Sequence, residues 1–156
     1  MKLYLKIFTG LLLALTLTGC IGEDYDVGVP IALLYFENIT MPVQLTEANI
    51  SWSSSSGDVE KTKDDIQRFG LSQDELKVSP NEKAFLNFEE NEENGGDIWT
   101  DPKITVALLK DEQRVEIEMN DSREFRFPIE KGHYVLAVKF ISSAGTAQYV
   151  GNILIQ

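Results

Sequence analysis

The chain has 156 residues, with 25 Asp and Glu against 14 Lys and Arg, a formal charge of −11, and one cysteine. A single cysteine leaves no internal disulfide and no thiolate-rich metal cluster. The acidic excess argues against nucleic acid, whose binders carry a basic face, and against flat docking on anionic lipid, where basic segments are the attractive element.

At the N-terminus, Lys2 and Lys6 precede an apolar run from Ile7 to Leu17 that closes on small residues before Cys20, the layout of an export signal. The run is about eleven residues, short of the ~20 that a permanent membrane helix needs, so removal is expected. The tetrapeptide Leu17-Thr18-Gly19-Cys20 resembles the lipobox of bacterial lipoproteins. That resemblance implies a diacylglyceryl thioether on Cys20, cleavage before it, and attachment to a lipid bilayer on the extracytoplasmic side of the bacterial envelope. In a two-membrane host, Ile21 rather than Asp after the cysteine is consistent with passage to the outer membrane. The alternative is an ordinary secretory signal followed by an idle thiol, a liability in an oxidising compartment.

Removing residues 1–19 leaves 137 residues, with 12 basic and 25 acidic side chains and a formal charge of −13. This is enough for one domain, over residues 31–156, behind a lipidated acidic tether at 20–30. Acids concentrate at Glu23, Asp24 and Asp26 and again at EENEENGGD, residues 89–97. Such runs are commonly solvated tethers and loops. They also suit a cationic protein partner steered in from a distance, or a divalent metal.

A first strand is expected over residues 31–37, then a turn at 38–42 and a second strand over 43–52. In that second segment Val43 and Leu45 keep one parity, and Ala48, Ile50 and Trp52 the other, so a bulge near Glu47 would restore one buried face. SSSSGD, residues 53–58, reads as loop. KTKDDIQRFG, residues 61–70, reads as the only helix, with Thr62 and Asp65 as a capping pair, Ile66 and Phe69 on one face and Gly70 as the stop. Brief and longer strands follow near residues 76–79 and over 83–89.

From Lys103 the period-two pattern is clearest, through Ile104, Val106 and Leu108, then Val115, Ile117 and Met119, then Phe125, Phe127 and Ile129. Pairing the last two segments as a hairpin sets Glu118 opposite Arg126 and Arg114 opposite Glu130. Pro128 marks an edge strand. A closing hairpin turned at Ala144-Gly145 pairs Phe140 with Tyr149 and Leu136 with Ile153. Its intervening residues Val135, Ala137, Val150 and Leu154 are also apolar, which predicts a pair covered on both faces. About nine strands and one minor helix describe an all-β, antiparallel two-sheet sandwich. The Gly132-His133-Tyr134 lead into the last hairpin resembles immunoglobulin-like and fibronectin-like domains, which implies a tyrosine corner at Tyr134.

No catalytic constellation emerges. His133 is the only histidine, the Ser53 to Ser56 run lacks a nucleophile elbow, and the carboxylates are too many for any pair to be informative. Glu90, Glu92, Asn94 and Asp101 echo the spacing of a calcium loop, but without the bidentate Glu and the flanking helices, so neither metal nor cofactor is expected. Trp52, Trp99 and Tyr149 are candidate sugar-stacking rings, although Trp52 is in phase with core positions. The expected function is a non-enzymatic envelope protein that binds or modulates another envelope protein through Glu89, Glu90, Glu92, Glu93, Asp97 and Trp99. A carbohydrate or small-ligand module is the alternative, and a carboxylate hydrolase the weakest reading.

Overall fold

The computed structural model describes residues 28–37, 39–54, 57–90, 98 and 100–156. Among them are eleven strands: β1 (Ile31–Phe36), β2 (Ile39–Gln44), β3 (Thr46–Ser54), β4 (Gly57–Lys61), β5 (Glu75–Val78), β6 (Lys83–Glu89), β7 (Lys103–Lys110), β8 (Gln113–Ile117), β9 (Glu124–Arg126), β10 (Gly132–Ser142) and β11 (Gly145–Ile155). One helix, α1 (Ile66–Leu71), lies between β4 and β5. The strands form a smaller sheet, β2-β1-β6-β9, and a larger one, β4-β3-β11-β10-β7-β8, with β5 added in parallel to the end of β11. The described residues form an all-β two-sheet sandwich with one short helix.

The period-two pattern builds its core. Leu34, Leu86 and Phe88 from the smaller sheet meet Trp52, Val106, Leu136, Phe140, Tyr149 and Ile153 from the larger, all buried. The Phe88 ring lies 4.7 Å from Phe140 and 5.9 Å from Tyr149, so the two sheets interlock through aromatic edges and faces. Ile98, just past the acidic run in the sequence, is a further buried plug. On the outer face of the larger sheet, Ile66 and Phe69 of α1 cover Ala48, Val135 and Val150. This explains why β10 and β11 are apolar on both faces.

Several expectations are corrected. The turn assigned to residues 38–42 is shorter, because Met41 and Pro42 belong to β2, an edge strand that tolerates proline. The parity break after Leu45 marks the crossing of the chain from the smaller sheet to the larger, where the Leu45 amide donates to the Ala32 carbonyl at 2.9 Å. A register irregularity does follow, between the Ile50–Ala147 and Glu47–Tyr149 pairs, but it turns Ala48 outward under α1 while Ile50 and Trp52 face the core. The serine run is not a loop throughout: Ser53 and Ser54 end β3, which hairpins into β4.

The helix is shorter than expected and capped by Asp65, whose carboxylate accepts from the Arg68 amide at 2.9 Å. Gly70 lies inside α1, where a Cβ would come within 2.3 Å of Val135, so it permits close approach to the sheet and does not end the helix. The expected hairpin of β8 with β9 does not form. β8 pairs with β7, and β9 with β6 in the other sheet. Between them the Asn120 side-chain carbonyl accepts from the amides of Ser122 and Glu124, turning the chain across the sandwich. In place of the expected cross-strand charge pairs, Glu130 meets Lys110 and Arg114 meets Glu116. The closing hairpin keeps its predicted faces but shifts by two residues: Phe140 pairs with Ala147 and Val138 with Tyr149.

The buried Tyr149 hydroxyl donates to the Pro30 carbonyl and so fastens the start of β1 to the larger sheet. Burial, reinforced by the Glu47 carboxylate, pushes its phenol pKa far above the ordinary value. An unfolded tyrosine ionises near pH 10 and the folded one stays neutral. Stability should therefore be insensitive to this group below pH ~10 and fall by about 1.4 kcal/mol per pH unit above it. Tyr149→Phe is expected to lose about 1 kcal/mol at neutral pH and to flatten that alkaline slope, as read by urea unfolding at a series of pH values.

Candidate functional site

Six strands side by side cannot be covered by four, and the larger sheet overhangs at β8. Val115 pairs with Leu108 and shares the core-facing parity of Ile117, yet it is 61% exposed. The chain leaving β9 passes opposite this overhang through Pro128, Ile129 and Glu130. Between the two walls lies a groove of about 510 Å³, floored by Leu108, Ile117 and Tyr134 and walled by Val115, Arg126 and Pro128. Its size falls within the range of ligand-binding clefts. Ile129, 77% exposed, lies in the chain between two lining residues, Pro128 and Glu130, without lining the groove itself.

The cations around this groove are engaged. Lys110 lies 2.8 Å from Glu130 and over the Tyr134 ring at 4.9 Å, and the hydrogen bond it donates to the Glu130 carboxylate raises its pKa. Arg126 donates to the Asn81 carbonyl at 3.0 Å, and Arg114 meets Glu116 at 3.7 Å. The Tyr134 hydroxyl donates to the Glu130 carbonyl at 3.2 Å, four residues upstream, the arrangement expected at a tyrosine corner. An apolar floor under paired charges suits an apolar side chain of a polypeptide better than a free anion.

The strand register fixes where the groove points. Ile31 pairs with Glu89 at one end of the sandwich, whereas Lys83 pairs with Arg126 and Phe36 stacks on Phe127 at the other. The chain therefore enters beside the start of the acidic run at Glu89, and the groove opens toward the opposite end. Of the sequence-derived contact residues, Glu89 and Glu90 are exposed at the entering end. Glu92, Glu93, Asp97, Trp99 and the lipidation candidate Cys20 lie outside the described residues, as does most of the calcium-like spacing.

Trp52 and Tyr149 are buried and withdrawn from any sugar-stacking role, which leaves Trp99 alone for that reading. The His133 side chain is largely exposed, with Nδ1 3.5 Å from the Glu75 carboxylate. Among the described residues no group of three His, Cys, Asp or Glu side chains is placed to hold a metal, and no helix is long and apolar enough to cross a membrane. Sequence reasoning missed the groove because Val115 has the spacing of a core residue. The one available signal was its setting between Arg114 and Glu116 in a short strand. No family model matches the chain, and no curated protein matches it.

Proposed function

We propose that the protein is a lipid-anchored, non-catalytic binding protein of the bacterial envelope, which holds a segment of another envelope protein in the groove between β8 and residues 126–130. The observation that carries this reading is a groove at the end of the sandwich opposite the chain's entrance that is lined by the exposed Val115, with the exposed Ile129 in the chain between its lining residues Pro128 and Glu130. Anchored through Cys20, the domain would present that groove away from the bilayer, with the lipid raising effective concentration by confining the search to a surface. Glu89 and Glu90, exposed at the entering end, would then lie on the membrane-facing side and hold the body off anionic lipid, and the acidic run they begin, with Glu92, Glu93 and Asp97, and Trp99 after it, would meet a cationic part of the partner.

The test is photo-crosslinking in intact cells with a benzophenone side chain at Ile129, and with the same group at Met41 as control, since Met41 is also 76% exposed but lies on β2. A discrete adduct with another protein is expected from Ile129 and not from Met41. Cys20→Ser is expected to release the protein from the membrane fraction and reduce that adduct about tenfold or more. Equal labelling at both positions, or an adduct indifferent to membrane release, would overturn the reading.

A further inference from the structure

Among the described residues the outer side of β8 is an unpaired sheet edge, and it carries a self-complementary pattern. The β7–β8 connection is Asp111-Glu112, both with positive φ, 49° and 63°, which makes a two-residue type I′ turn. In such a hairpin the flanking pair, Lys110 with Gln113, exchanges its backbone hydrogen bonds, and the alternation continues through Leu108 with Val115 and Val106 with Ile117. The amides and carbonyls of Arg114 and Glu116 therefore point away from β7. β8 is the last strand of its sheet among the described residues, and Gln113 to Glu116 are all exposed.

We propose that two copies of this chain pair through β8, antiparallel, about a two-fold axis at Val115. Within the strand only this register sets Arg114 opposite Glu116 of the second copy, and Glu116 opposite its Arg114. Both residues direct their backbone groups outward, so each of these pairs can exchange its hydrogen bonds. A two-fold at Arg114 or at Glu116 would instead face like charges. Glu112 in the turn and Glu118 beyond the strand fall outside this ladder. On the core-facing side, Val115 meets Val115 of the second copy in a non-hydrogen-bonded pair, where side chains approach most closely. The Arg114–Glu116 contact within one strand, 3.7 Å, is thereby replaced by cross-strand pairs. A two-fold interface must be self-complementary, and the sequence Arg-Val-Glu meets that demand about its centre. The axis is perpendicular to the joined sheet, so both grooves open on the same side. The pairing does not depend on the partner reading above, since it needs only a second copy.

The test uses the full chain in its native membrane with V115C, whose two thiols would face each other across the axis within disulfide reach. Oxidation is expected to give a covalent dimer absent from the parent protein, which controls for Cys20. Adding Arg114→Glu or Glu116→Arg alone should each reduce the crosslink about tenfold, although one lowers and the other raises the net charge. The double exchange R114E/E116R should restore it. Failure of V115C to crosslink, a crosslink indifferent to the single exchanges, or one not restored by the double exchange would each overturn the pairing.

Discussion

Gly145→Ala is expected to destabilise the sandwich by about 3 kcal/mol or more, as a fall in the urea midpoint at nearly unchanged slope. Gly145 adopts φ +152°, a conformation L side chains rarely take, directly opposite Trp52 in the β3–β11 pair. A Cβ there would lie 2.2 Å from the Ser51 carbonyl oxygen and 2.8 Å from the Trp52 Cα. Both are backbone atoms and cannot swing aside as a side-chain tip would. The turn cannot easily retreat either, because the Ser53 amide donates to the Ala144 carbonyl at 2.8 Å. Relief requires β3 to part from β11 at the end held by that hydrogen bond. Gly57→Ala is the control: its φ is +135°, but a Cβ meets nothing within 4 Å, so backbone strain acts there without a clash. The expected loss at Gly57 is about 1–2 kcal/mol. Equal losses at the two glycines would show that the close approach at Gly145 contributes nothing.

The same pair of strands shows what alternation in a sequence can and cannot specify. Faces are legible: Leu136, Val138, Phe140, Tyr149 and Ile153 turn to one side, as their spacing requires. Register is not, because sliding a hairpin by two residues leaves every side chain on its own face. That is why Phe140 could be paired with Tyr149 on pattern alone when its partner is Ala147. Partner choice is hidden for a related reason. The spacing of Val115 and Ile117, and of Phe125 and Phe127, correctly marks the inward sides of β8 and of the β9 segment, but nothing in it says that the two strands belong to different sheets. Gly70 is ambiguous in another way, since a glycine near a helix end serves equally as a stop or as a point of close contact, and only Val135 beneath it decides. The groove depends on where the smaller sheet ends relative to β8, a property of no local segment. Of the groove's residues, Tyr134 was legible as a tyrosine-corner position but not as part of a site. Val115 and Ile129 looked like core.

Trp52→Ala should be among the most destabilising side-chain truncations, with a loss of about 3–5 kcal/mol. Trp52 is 2% exposed on β3, its ring 6.2 Å from Phe140, which in turn contacts Phe88 of the opposite sheet. Truncation removes the first member of an aromatic series that crosses from one sheet to the other, and the strands around it cannot collapse to fill the space. Against a typical total of about 5–15 kcal/mol, that is a large fraction of the folding free energy. Differential scanning calorimetry should show Tm lower by roughly 10 °C. Val115→Ala, by contrast, should stay within about 0.5 kcal/mol, because Val115 is already mostly in water. Trp52 pairs with Gly145 at the end of the sandwich remote from Arg126 and Pro128, so stability and recognition should separate. At a temperature where Trp52→Ala remains folded, crosslinking from Ile129 should persist, whereas Val115→Ala should weaken it with Tm unchanged. Loss of crosslinking in folded Trp52→Ala would mean that the aromatic core sets the shape of the groove, and that the two ends of the sandwich are mechanically coupled.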